Sequence, residues 1–113
     1  VVFDKDVSLE LTNVLNYPNP FVNYTEFWFN HNSSDVLDVS IQIFTVSGKL
    51  IKTINGQTNT GSNTTSSLSR NLTWDGTDDF GSIIGKGVYV YKLKVRSSST
   101  GMQAEKIEKL VIL

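Results

Sequence analysis

No cysteine occurs in the 113 residues, and histidine occurs once, at His31. The first absence excludes disulfide staples, Cys-based zinc sites and thiol nucleophiles, although bacterial export stays compatible with a Cys-free chain. Charge of one sign is also missing. Ten Lys and Arg against eleven Asp and Glu leave a net charge of −1, so no basic field gathers phosphates, and nucleic acid is a poor partner. There is no run of 18 apolar residues to span a bilayer as a helix. The start, Val1-Val2-Phe3-Asp4, has neither an initiator Met nor a signal-peptide pattern. We therefore expect a piece of a longer protein: residues 1–8 as a linker or cloning remnant, 9–113 as one domain, and Leu110-Val111-Ile112-Leu113 as a true C-terminal end.

What is present is period-two hydrophobicity. Leu37, Val39, Ile41 and Ile43 alternate with Asp38, Ser40 and Gln42, which is a strand with one wet face. From Tyr24 to Asn30, Phe27 and Phe29 alternate with Glu26 and Asn30, with Trp28 as an amphipathic exception. Tyr89, Tyr91, Leu93 and Val95 share one face against Lys92, Lys94 and Arg96. Turn signals punctuate these runs. Val46-Ser47-Gly48-Lys49 and Ser97-Ser98-Ser99-Thr100-Gly101 read as hairpin loops, and Pro18 and Pro20 mark a bend or an edge. The polar stretch from Asn55 to Arg70 has almost nothing to bury and reads as a mobile loop. Ala104, Ile107, Leu110 and Val111 would also fit one helix face, but β-branched Val111-Ile112 and the neighbouring strands favour a terminal strand. The pattern predicts an all-β, immunoglobulin-like antiparallel β-sandwich of about seven strands, with Phe27, Phe29, Trp74, Tyr89 and Tyr91 supplying core volume.

Chemistry-bearing groups are sparse. His31 follows a strand and precedes Asn32-Ser33-Ser34, so it is expected as a solvated loop residue with no partner recognisable by spacing. No Gly-x-Ser-x-Gly elbow lifts any serine above the others. In Trp74-Asp75-Gly76-Thr77-Asp78-Asp79-Phe80-Gly81, the carboxylates Asp75, Asp78 and Asp79 are a weak calcium candidate. The favoured reading is that Asp75 and Asp78 accept hydrogen bonds from turn N–H groups while Gly76 and Gly81 permit the bends. Asn-x-Ser/Thr triplets begin at Asn23, Asn32, Asn63 and Asn71 and matter only in a eukaryotic host. Tyr17, Tyr24 and Trp28 could form an exposed carbohydrate-stacking platform. No cofactor is expected.

Three ordered motifs carry a resemblance. The first is Leu15-Asn16-Tyr17-Pro18-Asn19-Pro20-Phe21 with the Thr25-x-Phe27-x-Phe29 strand. The second is Val39-x-Ile41-x-Ile43-Phe44-x-x-x-Gly48-x-x-Ile51. The third is Trp74-Asp75-Gly76-x-Asp78-x-x-Gly81 followed by Gly85-x-Gly87-Val88-Tyr89-x-Tyr91-x-Leu93. Together they resemble the C-terminal sorting domain of the type IX (Por) secretion system of Bacteroidetes, itself similar to the immunoglobulin-like domain of the flagellar hook-capping protein. Pro18, Asn19, Pro20, Trp74, Asp75, Gly76, Asp78, Gly81, Gly87 and Tyr89 are its structural positions here.

The resemblance implies a non-catalytic module that directs export, or docking, of a larger protein. Its partner would be an outer-membrane secretion or shuttle component, with a surface enzyme upstream in the same polypeptide. The destination would be the cell surface or the medium, by way of the periplasm and outer membrane. Removable cargo domain and retained domain of the sortase stand equally. Lys106, Lys109, Leu110, Val111, Ile112 and Leu113 are the expected recognition element, by strand addition with the lysines as polar guides. Two other readings remain: a carbohydrate-binding or adhesive module of a surface hydrolase, and a structural spacer of the flagellar-cap type.

Overall fold

The computed structural model describes residues 9–33, 35–58 and 67–113. The segment 1–8, expected as a linker, lies outside the described residues. Seven strands follow in order: β1 (Leu11–Tyr17), β2 (Thr25–His31), β3 (Leu37–Thr45), β4 (Leu50–Gln57), β5 (Ser67–Trp74), β6 (Gly87–Ser97) and β7 (Gln103–Ile112). They form a three-stranded sheet, β1-β2-β5, and a four-stranded sheet, β4-β3-β6-β7, with every strand pairing antiparallel. This is the expected immunoglobulin-like sandwich, in a variant where the fourth strand joins the larger sheet.

The alternation read from the sequence sets which face is buried. Leu37, Val39, Ile41 and Ile43 of β3 meet Tyr91, Leu93 and Val95 of β6 on the inner face, all nearly or fully buried. Phe27 and Phe29 of β2 close the core from the other sheet. Phe27 meets Tyr91 edge-on, with centroids 5.0 Å apart and planes at 67°. Such a pair is worth about 0.5–1.5 kcal/mol beyond the area it buries. The Tyr91 hydroxyl has no hydrogen-bond partner among the described residues, and burial, helped by the nearby Glu108 charge, pushes its pKa upward.

Two expectations are corrected. The stretch 55–70 is not one loop: Asn55, Gly56 and Gln57 continue β4, and residues 67–70 begin β5, while 59–66 lie outside the described residues. Main-chain pairing with β3 and β2 does not require apolar side chains, so a polar sequence can still complete a ladder. Gly56 makes room in the same place. A Cβ there would stand 2.6 Å from Leu72 Cδ2, so Leu72 packs where any larger residue would push it away. The second correction is His31, which ends β2 on its inward face and is only 3% exposed.

Trp74 sits at the end of β5, 2% exposed, edge-on to Phe21 at 5.7 Å, with its indole N–H donating to the Thr77 carbonyl at 2.8 Å. Trp74→Ala removes both contacts and opens a large cavity, and should lower stability by about 3–5 kcal/mol in urea unfolding monitored by circular dichroism. A loss below about 1 kcal/mol would place this indole outside the core.

Candidate functional site

The Pro18-Asn19-Pro20 bend is built from the inside. Asn16 and Thr25 flank it, both buried. The Thr25 hydroxyl donates to the Pro18 carbonyl at 2.8 Å, and Asn16 Nδ2 donates to Thr25 Oγ1 at 3.1 Å. A carbonyl that a bend would expose is thereby satisfied within the protein. The peptides Tyr17-Pro18 and Asn19-Pro20 are both cis.

From this bend Asn19 reaches the last strand. Its Nδ2 donates to the Lys109 carbonyl at 3.3 Å, and its Oδ1 accepts from the Val111 N–H at 3.0 Å. A side-chain amide thus takes the place of a neighbouring strand's peptide. Phe21 then pairs with the strand directly, its N–H donating to the Val111 carbonyl at 3.0 Å and its carbonyl accepting from Leu113 N–H at 2.9 Å. Phe21 and Ile112 form an isolated parallel bridge, and the Phe21 ring, 1% exposed, enters the core beside Trp74. Segment 19–21 therefore clamps the end of β7, and it does so from the start of the domain.

The clamp divides the six residues expected to meet a partner. Leu110 and Ile112 are core side chains, fully buried and 7% exposed. Val111 is half-buried, and its main chain is taken up by Asn19 and Phe21. Lys106, Lys109 and Leu113 are exposed. A strand edge offers its outward N–H and C=O groups at alternate residues. In β7 these belong to the odd positions, since Val111 and Leu113 face the clamp. Among the described residues the strand pairs as a ladder with β6 alone, so there the outward groups of Gln103, Glu105 and Ile107 have no strand partner. The accessible main-chain edge of β7 thus lies toward the start of the strand.

The loop after Trp74 is held by its carboxylates, each with a separate task. Asp78 Oδ1 accepts from the N–H groups of Phe80 and Ser82, both at 2.9 Å. Asp75 accepts from the Thr77 hydroxyl at 2.6 Å, which holds its carboxyl below the usual range. Asp79 accepts from Thr53 N–H at 3.3 Å and lies 4.0 Å from the Lys52 ammonium. Among the described residues no group of three His, Cys, Asp or Glu is arranged to hold a metal ion. Gly76 and Gly81 sit at φ of 81° and 86°, the left-handed region the bends need. Gly87 opens β6, and the Tyr89 hydroxyl donates back to the Gly85 carbonyl at 2.8 Å. The loop presents Phe80 and Ile83, 94% and 86% exposed, which the sequence reading did not single out.

Tyr17 and Trp28 lie together outside the three-stranded sheet, with centroids 5.4 Å apart and planes tilted by 46°. Tyr24 is half exposed. A flat sugar ring would need coplanar faces, and this pair does not offer them.

Two outcomes follow from this geometry. Asn19→Ala should lower stability by about 1–2 kcal/mol in urea, because two strand-end hydrogen bonds go, while Asn19→Asp should keep the bond from Val111 N–H and lose less. Equal losses would show that the side chain does not clamp the strand. Burial holds the His31 imidazole below its ordinary pKa, and its Nδ1 accepts from Ser33 N–H at 3.2 Å. The folded pKa is the lower one, so this stabilisation is full above the unfolded pKa of about 6.5 and is lost as pH falls through the folded value. The urea midpoint should fall between about pH 7.5 and 5, and His31→Gln should flatten that decline. An unchanged slope in the variant would assign the decline to other groups.

The geometry can be set beside known proteins. The family model described as the secretion system C-terminal sorting domain matches residues 16–73, just over half of the chain and the part that holds the clamp. A crystal structure of dimeric latent PorU from Porphyromonas gingivalis is similar over 99% of this chain, with 26% identity and a TM-score of 0.76. The chain spans about a tenth of that protein, 10% of its length. No curated protein gives a match. The family model covers more than half of the chain, and the chain belongs to the C-terminal sorting domains of the type IX secretion system.

Proposed function

We propose that this domain acts as an address read by the secretion machinery through β7, and that it carries no chemistry of its own. One observation carries the reading: among the described residues the last strand is an edge strand whose end is fixed by Asn19 and Phe21 while its first half has no second strand partner. A fixed edge binds a partner strand with little ordering cost, its main chain giving affinity and its side chains selectivity. Lys106 and Lys109 flank that edge as exposed positive charges, and Leu113 is the accessible apolar tip. Leu110 and Ile112 act indirectly, by holding the strand in the core.

The non-catalytic reading is supported by how the candidate groups are used. His31 is buried against the core, and the carboxylates of the 75–84 loop serve its turns. The partner in this reading is an outer-membrane secretion or shuttle component. The protein attached upstream, an enzyme at the cell surface, is delivered there or to the medium by way of the periplasm. The domain is either removed on delivery, as in cargo, or retained, as in a sortase component. The eight residues before Leu9 are the linker to it.

The test fuses residues 1–113 behind a periplasm-directed fluorescent reporter in a Bacteroidetes host. Truncation after Glu108 removes Leu110 and Ile112 from the core and so confounds folding with recognition. The informative variant is Lys106→Glu with Lys109→Glu, both exposed. The intact fusion should reach the surface or medium, and the double variant should keep its melting temperature but lose about tenfold or more of the exported signal. Full export of that folded variant would refute recognition through these charges. Retention of the intact fusion in the periplasm would refute the domain as a sufficient address.

A further inference from the structure

The outer face of the four-stranded sheet holds a row of cations. Lys92, Lys94 and Arg96 take alternate positions in β6, opposite in parity to the buried Leu93 and Val95, so all three point away from the core. Alternate residues of a strand stand about 6.6–6.8 Å apart, so the three charges run for about 13 Å in one line. Their cross-strand neighbours on β3 and β7 are Gln42 and Ile107, Ser40 and Glu105, and Asp38 and Gln103. Only Glu105 and Asp38 among these are acidic, and neither lies within ion-pair distance of a cation of the row. Asp38 turns instead to Gln57, whose Nε2 donates to its Oδ1 at 3.0 Å. With Lys109, the strands of this face carry four cations against those two carboxylates, on a chain whose net charge is −1. Three like charges in line repel one another, so the row does not serve the stability of the sheet.

A groove lies beside the row for a local reason. Ser40 carries a shorter side chain than its cross-strand neighbours Asn55 and Lys94, and a trough of about 440 Å³ opens above it. The cations of β6 form one wall and Asn55 the other, with Gln42 and Asp38 toward the ends. Clefts for small ligands are lined mainly by apolar side chains. Amides, a hydroxyl and charges line this one, which suits a polar and extended ligand.

We propose that this groove binds an extended acidic segment of a partner polypeptide, with carboxylates at alternate positions. Such a segment has the period of β6, so the side chains of one face meet Lys92, Lys94 and Arg96 in turn. Arg96 offers a carboxylate two parallel donors, and the lysines act as point charges. The side-chain amides of Gln42 and Asn55 both donate and accept, and so can pair with the main chain of the bound segment. A helix, about 10–12 Å across, is wider than the trough, whose walls stand on strands about 9.6 Å apart. The contact is separate from the edge of β7, because the trough lies over β3 and β6 stands between them.

The inference goes beyond the sorting reading and does not rest on it, because it is tested on the purified chain. The probe is a short synthetic peptide in which Glu and Thr alternate, titrated into the isotope-labelled protein in low-salt buffer. Magnetic resonance signals of Ser40, Gln42, Asn55 and residues 92–96 should move, with a dissociation constant below about 1 mM. Raising the salt to about 0.3 M should weaken binding about fivefold or more. Lys92→Gln, Lys94→Gln and Arg96→Gln combined should weaken it about tenfold or more, yet melt no lower than the parent because repulsion is relieved. Asp38→Asn removes a carboxylate from the end of the trough and should tighten binding about twofold. Shifts confined to residues 103–107, or equal affinity in the triple variant, would overturn the proposal. So would tighter binding of a carboxylated oligosaccharide, or of phosphatidylglycerol vesicles, than of the peptide.

Discussion

Much of this domain depends on the bond pair between the Asn19 side chain and the end of β7. Ninety residues separate Asn19 from Lys109 along the chain, and the contact closes the molecule on itself. Without it, the tip of the last strand would be an edge with β6 on one side and water on the other. With it, Phe21 is steered to pair with Val111 and Leu113 and to bury its ring against Trp74. The buried Thr25 hydroxyl and Asn16 amide fix the Pro18 carbonyl and so aim Asn19 outward. The motif is a lever: two buried polar residues set a bend, and the bend sets a strand.

In the proposed reading one strand serves both folding and recognition. Leu110 and Ile112 supply the core with the inner face, and the clamp satisfies the main chain at the tip. In the proposed reading the edge from Gln103 to Ile107 is where a partner strand adds, at a position the core has already fixed. Lys106, exposed, and Glu108, half-buried, share the parity of the core residues Leu110 and Ile112. A charged residue pointing inward at an edge blunts uncontrolled aggregation.

Most of the sheet was legible because period two is a strong signal. The alternation in Leu37 to Ile43 and in Tyr89 to Val95 fixed both the strands and their buried faces. The hairpins at Gly48 and Gly101 were legible from turn chemistry, and Asp75 and Asp78 behave as the turn reading expected. The polar ends of the 55–70 stretch were misread because edge pairing uses main-chain groups that leave no mark on hydropathy. His31 was misread because a following Asn-Ser-Ser run suggests solvent, whereas its parity with Phe27 and Phe29 places it inward. That parity was the available signal. The clamp itself was not legible. Residue 19 and residue 111 meet through tertiary closure, and nothing in their local sequence names the other.

Amide hydrogen exchange at low protein concentration tests the account most directly, because it reads the two halves of β7 separately. A clamped tip and an open first half predict slow exchange at Val111 and Leu113, together with Phe21, and fast exchange at Glu105 and Ile107. Exchange at Val111 and Leu113 as fast as at Glu105 would contradict the clamp, and with it the claim that Asn19 and Phe21 fix the strand that a partner reads.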